Sequence, residues 1–500
     1  MTRDHHVRPN LEDRQSVKHG IDNPALQNGS TEQVDAPEKK EKSVSESKEV
    51  LTRVTVVKSS NSSEKPPLDD DYDPYQHRDV KHPTTYWDTF FHMLKASLGT
   101  GILAMPNAFH NAGYMVGTIG TLVIGFLCTY AIHSLVKAEY ELCKRRKVPS
   151  MTYPQTTEAA FEEGPKSLRW LHSYAGFTCQ LFLIMYQIGA SCIYVVFMAS
   201  NIKAVCDEYY TPHDVRLYCV YILIPLILIC WIRNLKLLAP FSSAANFLTV
   251  VSFVITFYYV FSDIPSFSQR KAVGQMKDMP LFFGTVLFAM EAIGVILPLE
   301  NEMDNPKRFK SMFGVLNTSM VPITFLYTIV GIFGYLKYGE KAEGSITLNL
   351  PANEVLAQSV KIMLAASIYM CYALSCYVAF DLLWNGWIVT KLEKNENKTF
   401  WEYVVRTSIV LVTFVLAVAI PNLELFISLI GALCLATMGI AFPAIIQMLT
   451  FWRHYEGFGF FLFMAKNVVL ILIAGFGFFV GTSTSITKIY HTFFLDMKID

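Results

Sequence analysis

Eleven runs of mostly apolar residues, each roughly the length of a membrane-crossing helix, leave this chain few ways to fold. They lie near 90 to 110, 115 to 136, 172 to 201, 217 to 235, 240 to 262, 280 to 300, 312 to 335, 359 to 385, 402 to 420, 424 to 449 and 465 to 487. About 20 residues of helix cross the hydrocarbon core of a bilayer, and inside lipid a helix satisfies its own backbone polar groups. With 500 residues, 52% of them apolar, the chain also exceeds what one soluble core holds, since such cores stop growing near roughly 250 to 300 residues. The reading is an all-α, multi-pass membrane protein, with residues 84–489 as its membrane domain and 490–500 as a short end outside.

Residues 1–83 are a different material, rich in Lys, Glu, Ser, Asp and Pro. Such a stretch buries too little apolar surface to offset chain entropy, which predicts a disordered tail able to meet cytoplasmic partners. It lacks the pattern of a cleaved signal peptide. Loops on the tail's side of the membrane, including Lys144 to Lys147, Lys307, Arg308 and Lys310, carry roughly twice the Lys and Arg of the opposite loops, so the tail is placed in the cytoplasm. The sequons at Asn28, Asn61 and Asn397 then face the cytoplasm and Asn317 lies within a span, predicting an unglycosylated chain. Formal net charge is zero, and no nucleic-acid footprint is present. Cys206 and Cys219 flank an outside loop, where they either bridge or stay as two reduced thiols. No cysteine pair has zinc-ligand spacing with a nearby His, so neither metal nor cofactor is expected.

Two of the runs are interrupted. The first carries Gly99-Thr100-Gly101 and Pro106; the sixth carries Glu291 to Gly294 and Pro298. At about 1.5 Å per residue, Gly99 to Gly101 lie roughly 17 to 20 Å above Asp88, and Glu291 lies roughly 16 Å below Pro280, so both reach the midplane of a core about 30 Å thick. Matching breaks five spans apart are expected of a transporter built on a five-plus-five inverted repeat, because broken helices are tolerated in lipid only where they line a cavity. A lone Gly-x-Gly would more often mark close helix packing; its partner break decides for a site. The amides of Thr100, Gly101 and Ile102 would sit at the positive end of the second half-helix and suit a carboxylate. Freed carbonyls around Phe288, Ala289 and Glu291, with Gly294 beyond, suit an ammonium group. Together they describe a site for a zwitterion.

Glu291 is the one carboxylate deep in a span, where a charge costs at least about 2.5 kcal/mol. It is expected to be neutralised, paired or functional. Glu300 and Glu302 close the same span and read as solvated or gate-forming. His92 precedes Gly99 by seven residues, two helical turns, and shares its face. Histidine changes charge near neutral pH, which suits a carrier of a coupling proton; its bland alternative is a hydrogen bond to a neighbouring helix. Lys95, one turn on, snorkels or pairs.

His92-Met93-Leu94-Lys95-Ala96-Ser97-Leu98-Gly99-Thr100-Gly101-Ile102-Leu103-Ala104-Met105-Pro106 followed by Asn111-Ala112-Gly113 resembles the opening signature of the proton-coupled amino acid transporters within the amino acid/auxin permease superfamily. Phe288 to Asn301 resembles that family's sixth span, and Gly344-Ser345-Ile346-Thr347-Leu348-Asn349-Leu350-Pro351 its fourth outside loop. The resemblance covers about Tyr86 to Ile489. It implies a leucine-transporter-like fold, symport of protons with small neutral amino acids such as glycine, alanine and proline, a plasma-membrane or lysosomal location, and a proton-coupling role for His92. Members with an outside disulfide place a cysteine soon after the Asn-Leu-Pro stretch. Here Ala352-Asn353-Glu354 follow Pro351, leaving Cys219 as the nearest partner for Cys206.

Two other classes compete. An amino-acid sensor could use the same pocket to report through its tail with little flux. An enzyme is disfavoured, since phosphate-binding loop, His-Glu-x-x-His and nucleophile-elbow motifs are all absent, and no channel filter is recognisable.

Overall fold

The apolar runs fold as helices, and the two that carry Gly and Pro near their centres fold as pairs of half-helices. The computed structural model describes residues 72–80, 83–233, 235–290, 293–389 and 397–495. The first run becomes α1 (Tyr86–Ser97) and α2 (Thr100–Ala112), followed by α3 (Tyr114–Arg146) and a short α4 (Tyr153–Glu163) outside the runs. Next come α5 (His172–Tyr209), α6 (Val215–Cys230) and α7 (Leu235–Phe261). The sixth run becomes α8 (Met279–Ala289) and α9 (Ile293–Asn301), with α10 (Val315–Tyr338), α11 (Val355–Leu383) and α12 (Lys398–Ala419) after it. The tenth joins α13 (Leu423–Ile430) to α14 (Phe442–Thr450) through a π-helical stretch, Gly431–Ala441. The eleventh joins α15 (Gly457–Phe476) to α16 (Thr482–Tyr490) in the same manner across Gly477–Gly481.

Nine helical stretches among the described residues are long and apolar enough to cross a membrane. The other two expected spans are the α1–α2 pair and α6, which has 16 residues. Strands are absent among the described residues; one isolated bridge joins Thr84 to Met303. Helix α3 runs to 33 residues, about 50 Å at 1.5 Å per residue, so its charged end projects beyond a bilayer core.

Local chemistry sets the ends of the first span. Thr85 and Asp88 form a reciprocal cap, with the Thr85 amide donating to Asp88 Oδ2 at 3.1 Å and the Asp88 amide to Thr85 Oγ1 at 3.3 Å. Gly113 turns the chain into α3 at φ +80°, and a Cβ there would lie 2.6 Å from the Ala272 carbonyl oxygen, so both conformation and space require glycine. Packing then pairs the half-helices crosswise: α2 lies against α8, α1 against α9, and α10 touches both α1 and α2. Helix α11 packs on α5 and α7, α4 packs on α5 and α14, and Lys488 ties α16 to the start of α8 through Asp278 at 2.7 Å.

One expectation changes, one open alternative closes, and one sequon is located. Residues 72–80, assigned to the tail, are packed on the end of the bundle that bears the basic loops. Pro74–Gln76 form a 3-10 turn capped by Asp73, and Asp73 binds Lys307 at 2.9 Å and Tyr140 at 3.3 Å; aromatic and charged side chains close together supplied the surface that composition alone understated. Residues 1–71 lie outside the described residues. Cys206 and Cys219 are both free thiols: Cys206 sits beside Tyr218, and one residue along α6 turns Cys219 about 100° away. Asn317 is engaged within the protein, with its Oδ1 2.8 Å from His133 Nε2 and its amide donating to Met312 O at 3.0 Å.

Candidate functional site

The two breaks touch. Helix α1 ends at Ser97, Leu98 and Gly99 leave helical geometry, and α2 starts at Thr100, one to two residues earlier than the Gly-Thr-Gly motif suggested. Thr100 and Gly101 thus form the first turn of α2 instead of the gap itself. On the other side α8 ends at Ala289 and Met290 leaves the helix, while α9 restarts at Ile293. A Cβ on Gly101 would lie 2.6 Å from Ala289 Cα, whereas one on Gly99 would meet nothing within 4 Å. So Gly101 permits direct contact between the breaks, and Gly99 borders open space.

No side chain caps α2, which leaves the amides of Thr100, Gly101 and Ile102 as uncommitted donors at a positive helix end. Thr100, Ile102, Phe288, Ala289 and Met290 are buried, and Gly294 is half-buried in the first turn of α9. Buried hydroxyls of Ser97 and Thr285 flank the breaks with no hydrogen-bond partner. The freed Ser97 carbonyl accepts from the Gly99 amide at 2.9 Å and from the hydroxyl of fully buried Tyr327 on α10. Thr324, one turn away, donates to Met290 Sδ at 3.8 Å. A cavity of about 20 Å³, lined by Cys128, Ile132, Leu287, Met290, Ile293, Leu435 and Gly439, adjoins the break in the sixth span. It has room for about one water, so the breaks are paired but closed upon each other.

Glu291 and Ala292 lie outside the described residues. His92 is exposed on α1, on the turn-repeat face that leads to Gly99. Lys95 is exposed too and comes within electrostatic reach of Cys371 on α11. Glu302 is exposed as expected, but Glu300 is fully buried and paired with Arg78 at 3.0 Å. Of the solvated and gate-forming roles expected for Glu300, burial is at odds with the solvated one.

At the far end of α2, side chains join the second half of the first span to its surroundings. Asn107 donates to the Ala342 carbonyl at 3.0 Å, Asn111 donates to Glu424 Oε1 at 3.0 Å, and His110 lies 3.6 Å from Glu340. Glu340 also binds Lys271 at 2.9 Å, and that hydrogen bond and charge hold the Lys271 ammonium above its ordinary value. At the basic end, burial alone would push the Asp73 carboxyl up. The hydrogen bond and charge of Lys307, with the Tyr75 amide and Tyr140 hydroxyl, bring it below the usual carboxylate range. Among the described residues no group of three or more His, Cys, Asp or Glu side chains is arranged to hold a metal.

Tyr327, Thr285, Thr324 and Arg78 were not singled out from sequence. Tyrosine or threonine in an apolar run carries a weak signal of inward orientation, but its partner is set by helix packing across 230 positions for Tyr327 and Ser97.

The profile of the family described as transmembrane amino acid transporter protein matches residues 82–487. The chain is 39% identical over 425 residues to the Drosophila melanogaster protein named proton-coupled amino acid transporter-like protein pathetic, covering 85% of this chain and 89% of that one. It is 26% identical over 411 residues to the Caenorhabditis elegans probable amino acid transporter skat-1, covering 80% and 89% of the two chains. Among solved structures, Mhp1, a nucleobase-cation-symport-1 family transporter in a closed conformation with bromovinylhydantoin bound, aligns with a TM-score of 0.43 at 12% identity, over 84% of this chain and 95% of that one. With a profile match across the whole helical region and close relatives named as transporters, this multi-pass membrane chain belongs to the transmembrane amino acid transporter protein family.

Proposed function

We propose that this chain is a secondary active carrier that moves small neutral amino acids of the glycine, alanine and proline class together with a proton, by alternating access. The observation that carries the reading is the meeting of the two breaks: uncapped amides of Thr100 to Ile102 beside the carbonyl end of α8, with Ser97 and Thr285 hydroxyls unpartnered around them. A carboxylate matches the first feature and an ammonium group the second. The close approach of the breaks, with Gly101 against the Ala289 backbone, favours a solute with a small side chain. Substrate entry then requires Gly101 and Ala289 to part, which a shift of one half-helix pair against α10 supplies.

His92, with Glu291, takes the coupling proton on this reading. The Drosophila relative is named as proton-coupled, which supports this reading. The tail is cytoplasmic and the membrane is plasma or lysosomal. Proteoliposomes holding the purified chain test this. With an acidic exterior and no sodium, glycine, alanine or proline uptake should rise several-fold over the level without a gradient, and His92→Gln should abolish accumulation while leaving downhill exchange. Uptake indifferent to the proton gradient would reject coupling. Saturable binding with no flux would instead favour the sensor.

A further inference from the structure

At the basic end of the bundle, two carboxylates are buried together. Glu139, on α3, and Glu300, in the last turn of α9, are both fully buried and lie within direct electrostatic reach of each other. Arg78 donates from Nη2 to Glu300 Oε2 at 3.0 Å, from Nη1 to the Glu300 carbonyl at 3.2 Å, and from Nε to the Pro149 carbonyl at 3.1 Å. Glu139 Oε1 accepts from the Met151 amide at 3.2 Å and from the Cys143 thiol at 3.1 Å. One oxygen of each carboxylate remains, Glu139 Oε2 and Glu300 Oε1, and neither has a partner.

The surrounding groups supply only part of what is missing. The Tyr75 hydroxyl is buried beside Glu300 and is the donor that faces it, but no comparable donor stands at Glu139 Oε2. Lys310 rests its ammonium over the Tyr140 ring at 4.2 Å and the Tyr75 ring at 5.6 Å, so it neutralises at a distance without donating. Two buried negative charges therefore share one directly bonded guanidinium, an arrangement that low dielectric makes costly, and Glu139 Oε2 lacks a donor. A single proton answers the charge deficit, because it removes one of the two buried negative charges and leaves the other to Arg78.

We propose that Glu139 and Glu300 form a proton-binding site, separate from His92 and the breaks, in which one of the two carboxyls carries a proton in this packed arrangement. Arg78 ties α9 to Pro149, in the loop that leads to α4, and α4 packs on α5. Parting of α9 from that loop admits water to both carboxylates and releases the proton, so the site links movement of the second half of the sixth span to the pH at this end.

Infrared difference spectroscopy of the purified full chain in lipid nanodiscs, titrated from acid to alkaline pH, tests this without requiring transport. Its outcome is therefore independent of proton-driven uptake. The native chain should show a buried protonated-carboxyl band at neutral pH, and E139Q and E300Q should each remove it, because removing one buried charge leaves the other carboxylate ionised. R78Q should about double the band as the second carboxyl also takes a proton, a gain that misfolding cannot imitate. A native chain without the band at neutral pH, a band that survives both Gln variants, or R78Q without a gain overturns the assignment.

Discussion

Gly101 and Gly99 are two residues apart and opposite in what they tolerate. Alanine at 101 would put a Cβ 2.6 Å from the Ala289 backbone, and forcing backbones apart in a packed interior costs about 1 to 3 kcal/mol. G101A should therefore lose most uptake in protein that still reaches the membrane. G99A meets nothing within 4 Å and should keep uptake within about twofold; the pair is checked by transport normalised to surface expression. Tyr327 holds the Ser97 carbonyl that the break releases. Because the Gly99 amide also donates there, Y327F should lower stability by only about 1 kcal/mol, read as a modest fall in thermal midpoint in detergent, while slowing transport more than that loss of folded protein explains.

Elements divide by how they hold together. Crosswise pairing of α1 with α9 and α2 with α8 fixes the breaks by packing, whereas residues 72–80 are held by charge and ring contacts. Asp73 has its carboxyl below the ordinary range, so its share of the docking is present above the carboxylate value of the free chain and lost as pH falls through its lowered one. Lys307 is shifted upward by Asp73, so its share is present below the free ammonium value and lost only in strong alkali. Docking should hold across neutral pH and loosen in acid. Hydrogen exchange at Tyr75 and Gln76, corrected for intrinsic rates, should quicken below about pH 4 and in D73N at neutral pH; unchanged exchange in D73N would reject this account of the segment.

At the scale of the whole molecule, what the sequence made legible was whatever the solvent of each residue dictates. Long apolar runs become helices because lipid permits little else, and Gly and Pro in the middle of two of them betray the breaks. Placement of the first break slipped because Thr100 and Gly101 serve as well in a first helical turn as in a gap. Other features belong to the tertiary arrangement. Glu300 looks solvent-facing until Arg78 and Glu139 are brought to it from 222 and about 160 positions away. Cys206 and Cys219 look pairable until the rotation of α6 is known. Apolar composition is indifferent to whether Gly431–Ala441 closes α- or π-helical turns.

The central claim is that the two broken spans jointly hold a small zwitterion between their half-helices. Its most direct test is a cryo-electron microscopy map of the full chain in lipid with saturating glycine or proline. The account predicts Gly101 and Ala289 drawn apart around ligand density, with the carboxylate at the Thr100 to Ile102 amides and the ammonium group at the carbonyl end of α8. Ligand density elsewhere, with Gly101 and Ala289 still in contact, would contradict it.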